Sequence, residues 1–488
     1  MIVNLLSNLS FYVPELICIL TMCGLLLIEA AYKPNEKNRL MIFIAGAIGL
    51  VLSLVFLSSN LKLAPTAIFS NSLIIDQFST LSKMVMALGT LGVLYINYFS
   101  KDIYEDLKAE FVILAMGILV GGMLLSSANN MLTLYLGVET LSILSYVMSS
   151  MKKRDASSSE AGLKYALYGG IAAGIMLFGI SHIYGVLGTI QFTGMAAKMQ
   201  AIEGTQAAIL LVSFLMFFVG IGYKVACVPF HMWSPDVYQG SPIPVTALFS
   251  IVPKVAGIAA ILRVTNVFFG VETTMSIGWI GVLQLIAALT MTVGNVTAIG
   301  QDSVKRLLAY SSIAHAGNML LGVVVLSELG VQAILFYGMA YLFMTLTAFF
   351  ITSFLSDKYG TDSQMSFRGL IYKHPFVAIF MSIILFSLAG LPPFSGFIAK
   401  FNIITALVHK KYFSLAIIAV VNSLIALYYY TKLVRTMIFD KSDSEEKVDG
   451  FTFQNQLIAG VFCVPVIVLG VFWESIMSMA NQAKLFIN

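Results

Sequence analysis

Long apolar runs alternate with short polar breaks along almost the whole chain, and the runs are too long for strands or ordinary core helices. A helix needs about 20 apolar residues to cross the hydrocarbon layer of a bilayer. Windows of that kind fall near 10–32, 39–59, 73–99, 109–127, 131–150, 160–187, 205–230, 243–268, 272–299, 303–326, 331–356, 376–408, 412–436 and 453–480. The pattern predicts an all-α integral membrane protein of about fourteen transmembrane helices. Two windows are broken. The seventh runs into Pro229 and resumes as a short piece around Pro235–Gln239, and the twelfth is cut at Leu391-Pro392-Pro393. Proline lacks the backbone donor and disrupts the turn before it, so each break frees carbonyls that must find other partners within lipid.

The two breaks share local sequence. VPF at 228–230 is followed by HMWSPD, and PPF at 392–394 by SGFIAK. They lie five spans apart, and a unit with an odd number of spans re-enters the membrane in the opposite sense, as an inverted repeat. The expected organisation is three N-terminal helices in 1–108, a first five-helix repeat (spans 4–8) in 109–270, a second (spans 9–13) in 271–440, and a last helix in 441–488.

Composition agrees with the pattern. The 488 residues are 59% hydrophobic and 11% charged, with a mean hydropathy of +0.90, whereas soluble domains carry roughly 25% charged residues. A water-facing surface is excluded. Of the 28 Lys and Arg, 18 fall on one set of alternating loops and 6, Arg263 among them, on the other. Positive charge marks the cytoplasmic side, which puts both termini outside. The opening MIVNLLSNLS lacks the basic segment of a cleavable signal and is expected to start the first span. Cys18, Cys23, Cys227 and Cys463 form no CxxC pair and no Cys/His cluster, and they read as small buried hydrophobes. No GxGxxG, Walker, haem-attachment or iron–sulfur spacing occurs, so no cofactor or metal is expected in this chain.

Four basic residues remain inside spans: Lys83, Lys224, Lys254 and Lys400. A lysine at bilayer depth costs at least ~2.5–3.5 kcal/mol, and such residues mark ion pathways. Lys224 precedes the first break, Lys400 follows the second, and Lys254 comes directly after Pro253 in mid-span. Glu139 lies mid-span without a cation on its own helix, and Lys224 is its expected partner. At ~4 Å and an effective dielectric of about 20 such a pair attracts by roughly 4 kcal/mol, and doubling the separation halves that. The difference, about 2 kcal/mol, matches the ~2.3 kcal/mol of one charge crossing 100 mV. A modest movement could therefore load or discharge a lysine. His315, flanked by Ser311, Ser312 and Asn318, is a candidate relay that titrates near neutrality. Lys83 is expected to pair with Asp76 or to snorkel, and His231 to bond carbonyls at the break. Glu15, Glu29 and Asp302 are placed near span ends, and the tryptophans and Tyr428–Tyr430 are read as interfacial anchors or packing.

VPFHMWSPDVYQGSPIPVTALFSIVPKVAG at 228–257, RLLAYSSIAHAG at 306–317 and LPPFSGFIAKF at 391–401 together resemble the N-subunit family of bacterial respiratory complex I, NADH:quinone oxidoreductase. The related L and M subunits and Mrp-type cation/proton antiporters read more like HxWLPDAHxxAP where this chain has HMWSPDVYQGSP. The L subunit also has a long C-terminal lateral helix, for which the chain leaves no room. The resemblance implies an antiporter-like, proton-translocating membrane subunit in the bacterial cytoplasmic (inner) membrane, with Glu139, Lys224, Lys254, His315 and Lys400 as its proton pathway. It implies M-, K- and related membrane-arm subunits and the lipid bilayer as partners, and no nucleic acid. NADH, flavin, iron–sulfur clusters and quinone would reside on other subunits. A stand-alone or Mrp-type antiporter is the alternative.

Overall fold

The structure, a computed structural model, describes residues 8–31, 36–152, 154–199, 202–270, 274–441 and 451–482. Lys33, Lys153, Lys447 and Lys484, counted above as loop cations, and the opening MIVNLLS lie outside the described residues. The main helices are α1 (Val13–Ala31), α2 (Glu36–Asn60), α3 (Gln77–Phe99), α4 (Lys108–Ser127), α5 (Met131–Ser149), α6 (Ala156–Leu187), α7 (Gly204–Val225), α8 (Trp233–Gly240), α9 (Ile243–Phe269) and α10 (Thr274–Ala298). They continue as α11 (Val304–Val324), α12 (Glu328–Tyr359), α13 (Pro375–Ala389), α14 (Ser395–His409), α15 (Phe413–Ile438) and α16 (Phe453–Val471). Among the described residues, thirteen helices are long and apolar enough to cross a membrane. The broken twelfth window is the pair of shorter apolar helices α13 and α14, and α8 is the short second piece of the seventh.

Helix α9 is wholly buried, and α11 and α12 nearly so. They form the middle of the molecule, packing on one another and on α3 and α14. The outer helices expose aliphatic side chains such as Leu27, Ile171 and Leu424. Helices that are apolar on every side are stable either in a core or in lipid, and these do both. One departure from the all-α expectation is a small antiparallel hairpin, Thr66–Ile68 against Leu73–Ile75, between α2 and α3. Its turn uses positive φ at Phe69, Ser70 and Asn71. Asp76 follows it and caps α3, accepting from the Ser79 amide at 2.8 Å.

Both breaks are closed by named partners. Helix α7 ends at Val225, with Ala226 in the left-handed region at φ 61°. The carbonyl of Tyr223 accepts from the Trp233 indole at 2.9 Å, and the Val228 amide donates to Thr290 Oγ1 at 3.0 Å. At the second break α13 ends at Ala389 and Gly390 takes φ 93°. There the Gly396 amide donates to Ser387 Oγ at 3.0 Å. Val228–Pro229 and Pro392–Pro393 are both cis. These bonds hold polar groups at both breaks inside protein, as a bilayer requires.

Candidate functional site

Lys224 lies in the last turn of α7 and is 1% exposed. Its ammonium donates to the Tyr165 hydroxyl at 3.2 Å and stands 5.1 and 5.9 Å from the ring centres of Tyr165 and Tyr146. That aromatic wall attracts a desolvated cation. Trp233 from α8 stacks on Tyr165 with centroids 4.3 Å apart, so the residues that close the break also fix the lysine's neighbour. Glu139 on α5 is close enough to Lys224 to act on it electrostatically, yet the two form no direct ion pair. Its Oε1 is shielded and meets no hydrogen-bond donor.

Farther in, three helices meet at Ser312. Lys254 on α9 donates to Ser312 Oγ on α11, and the Tyr238 hydroxyl on α8 lies 3.4 Å from the same oxygen. Ser250 Oγ, one turn before Lys254, adds a bond to Tyr238 at 3.2 Å. Pro253 leaves the Phe249 carbonyl without its helical donor beside this cluster. Ser311 bonds the Tyr430 hydroxyl of α15. One turn on, His315 is 3% exposed and its Nδ1 lies 2.6 Å from the Tyr337 hydroxyl. His315 bonds neither lysine, although Lys254 and Lys400 both act on it electrostatically. Lys400, 7% exposed, reaches back from α14 to the carbonyls of Leu388 and Ala389 at 3.0 and 2.8 Å. Hydroxyls both donate and accept, so Tyr238, Ser250 and Ser312 form one connected cluster beside Lys254. Among the described residues no three His, Cys, Asp or Glu side chains gather closely enough to hold a metal ion.

Residues 128–426 match the family described as "NADH:quinone oxidoreductase/Mrp antiporter, TM". The chain is 36% identical to "NADH-quinone oxidoreductase subunit N" of Anaeromyxobacter sp. (strain Fw109-5), over 96% of its own length and 95% of the relative's. The chain belongs to this family. A second family member, "NADH-quinone oxidoreductase subunit N" of Trichlorobacter lovleyi, is 35% identical over 98% of this chain and 97% of its own. A chain of Thermus thermophilus respiratory complex I with bound aureothin superposes with a TM-score of 0.80 at 28% identity, over 96% of this chain and all of that one. A chain of the Mrp complex from Dietzia sp. DQ12-45-1b shares the fold, with a TM-score of 0.82 at 19% identity, over 97% of each.

Several polar residues of this family member sit elsewhere than expected. Arg263 is no loop cation: it is 1% exposed on α9, with NH1 3.0 Å from Asp76. Lys83 therefore has another partner, Glu15 of α1, at 2.5 Å, and both are buried. Lys305 is 6% exposed, with its ammonium 2.7 Å from the carbonyls of both Gln239 and Ser241. Asp236 on α8 bridges Lys164 and Arg306 at 2.7 and 2.9 Å. Cys23 is exposed, unlike the other three cysteines. Of the two readings given for the aromatics, packing holds for Trp233, Trp279, Tyr429 and Tyr430, which are all buried. His231, as expected, is half-buried at the break and bonded to the Pro229 backbone, with Nδ1 unbonded. Tyr165, Tyr238 and Tyr337 were not singled out from sequence, where nothing local sets them apart from the other tyrosines.

Proposed function

We propose that this chain is a proton-translocating membrane-arm subunit of a bacterial NADH:quinone oxidoreductase, with both termini outside the cytoplasm. Protons enter by Lys224, cross through Tyr238, Ser312, Lys254 and the His315–Tyr337 pair, and leave by Lys400. Glu139 sets the charge balance at Lys224, and quinone reduction on other subunits drives the cycle. One observation carries the reading: Lys224, Lys254 and Lys400 are all buried, and each hydrogen-bonds to neutral oxygens. The division into 1–108, 109–270, 271–440 and 441–488, with inverted repeats around the two breaks, belongs to the same proposal. It is supported by a buried lysine at each break, Lys224 in the last turn of α7 and Lys400 with its ammonium on the last carbonyls of α13. NADH, flavin, clusters and quinone are assigned to partner subunits.

The test is proton uptake by the assembled complex in proteoliposomes. Lys224→Ala and Lys400→Ala should each cut protons moved per NADH oxidised by tenfold or more, with assembly retained. Normal pumping by both would reject the route. Sodium-dependent exchange by a complex lacking NADH oxidation would instead favour the antiporter alternative.

A further inference from the structure

We propose that the small apolar cavity between α3, α9, α11 and α12 is a dry seal, a role that rests on the proton route proposed above. It insulates the row Tyr238, Ser312, Lys254, His315 and Tyr337 from the bundle end where Asp76 holds Arg263, the outer end in that route. The cavity measures about 20 Å³, and its lining side chains are buried. Three helix faces set its place. Ile258 and Met319 line it four residues after Lys254 and His315, and Ile334 lines it three residues before Tyr337. Residues at those spacings share a helix face. Helix α12 runs back along α11 after a short turn, so all three offsets point to the same bundle end. Each of these apolar side chains therefore stands one turn beyond a polar residue of the row.

On the far side the face of α3 turns polar again. Ser82 lines the cavity, Ser79 follows one turn on and donates to the Asp76 carbonyl at 3.0 Å, and Asp76 takes Arg263 at 3.0 Å. The cavity is thus an apolar gap between two polar stretches, and a water in it would join them. Its size admits one water, which needs ~10–15 Å³, but a buried water normally makes about three hydrogen bonds. Among the described residues of the lining, Ser82 alone carries a polar side chain. A void so lined stays dry, and apolar constrictions block conduction by excluding water. The space itself traces to Gly338, where an added Cβ would meet only Val255 Cγ2, at 4.0 Å. Wetting the gap would let protons at His315 and Tyr337 run straight to Asp76 and bypass Lys400.

The test is the passive proton conductance of assembled complex in proteoliposomes, driven by a potassium diffusion potential without NADH. Val85→Thr/Ile258→Thr adds two hydroxyls to the lining, and threonine within a helix can bond the carbonyl of its own preceding turn, so the helices are kept. Two added hydrogen bonds favour a water in the gap about tenfold, and conductance should rise by about that factor at unchanged assembly. Met319→Gln, which brings a polar end at similar length, should leak in the same way and replaces the double variant if that fails to assemble. Gly338→Ala added to either should take up the space and return the leak to the wild-type level, while alone it should change neither conductance nor pumping. Tyr337→Phe added to either should also suppress the leak, because it removes the hydroxyl from which the leak starts. Wild-type conductance in an assembled polar variant would overturn the seal, and so would a leak that survives Gly338→Ala or Tyr337→Phe. These measurements involve no turnover, so they are decided separately from pumping by Lys224→Ala and Lys400→Ala, which decides the route.

Discussion

Replacing Gly390 with alanine tests how Lys400 is seated. Gly390 ends α13 at φ 93°, and an added Cβ would stand 2.8 Å from Lys400 Cδ and 3.3 Å from its Nζ. Alanine at positive φ costs roughly 1–2 kcal/mol. The methyl group meets a flexible side chain rather than backbone, so the lysine moves. Its ammonium is then carried off the Leu388 and Ala389 carbonyls, now at 3.0 and 2.8 Å. Losing one hydrogen bond to a charged group costs about 1.5–3 kcal/mol, which is about ten- to a hundredfold in occupancy of the seat. Proton uptake per NADH oxidised, measured on assembled complex in proteoliposomes, should fall by about tenfold, with assembly unchanged. Added to Lys400→Met, the same substitution should change little, because residues acting through one contact are not additive. Gly174→Ala, at a helix position with open space around it, should be silent. Full pumping by Gly390→Ala, or an equal extra loss in the Lys400→Met background, would refute the seat.

Two further outcomes follow from contacts elsewhere. Ser312→Ala removes the oxygen that joins Lys254 to Tyr238, and pumping should drop severalfold while Ser312→Thr, which keeps a hydroxyl, retains most of it. Glu15→Gln strands a buried Lys83, costing about 3–5 kcal/mol. The yield of assembled complex on native gels should fall while pumping per complex stays the same, and Glu15→Leu/Lys83→Met should recover assembly.

The breaks and the buried lysines were legible because both are local signals. Pro229 and Pro392–Pro393 stop a helix wherever they occur, and a lone lysine in an apolar window stands out. What joins the lysines was not legible, because it is made across helices. Ser312 reads as one polar residue in a serine pair until Lys254, 58 positions away, meets it. Arg263 lies near the end of its window and so counted as a loop cation, although Asp76, 187 positions earlier, holds it inside. Asp76 was then unavailable to Lys83, and Glu15, placed at a span end by its position in the window, supplied the charge. The tyrosines of the row were hidden among 21 in the chain, since depth and partner, not residue type, distinguish them.

The partners of the buried ammonium groups are of two kinds, a carboxylate or neutral oxygens. Lys83 faces a carboxylate directly. Lys224, Lys254 and Lys400 face a phenol, a serine and two carbonyls. The seat of Lys400 is at the carbonyl end of half-helix α13, where the backbone dipole favours a cation without a full counter-charge. Lys305 satisfies the same criterion: its ammonium takes the carbonyls of Gln239 and Ser241, at the end of the short helix α8 that carries Tyr238. It lies at the loop-facing end of α11, where a proton bound for Tyr238 would arrive. Lys305→Met should therefore slow pumping severalfold at unchanged assembly, and Lys305→Arg, which keeps the charge but does not give up its proton, should fail to restore it. Restoration by arginine would show that Lys305 serves only as a cap for α8, and the division by partner would fail.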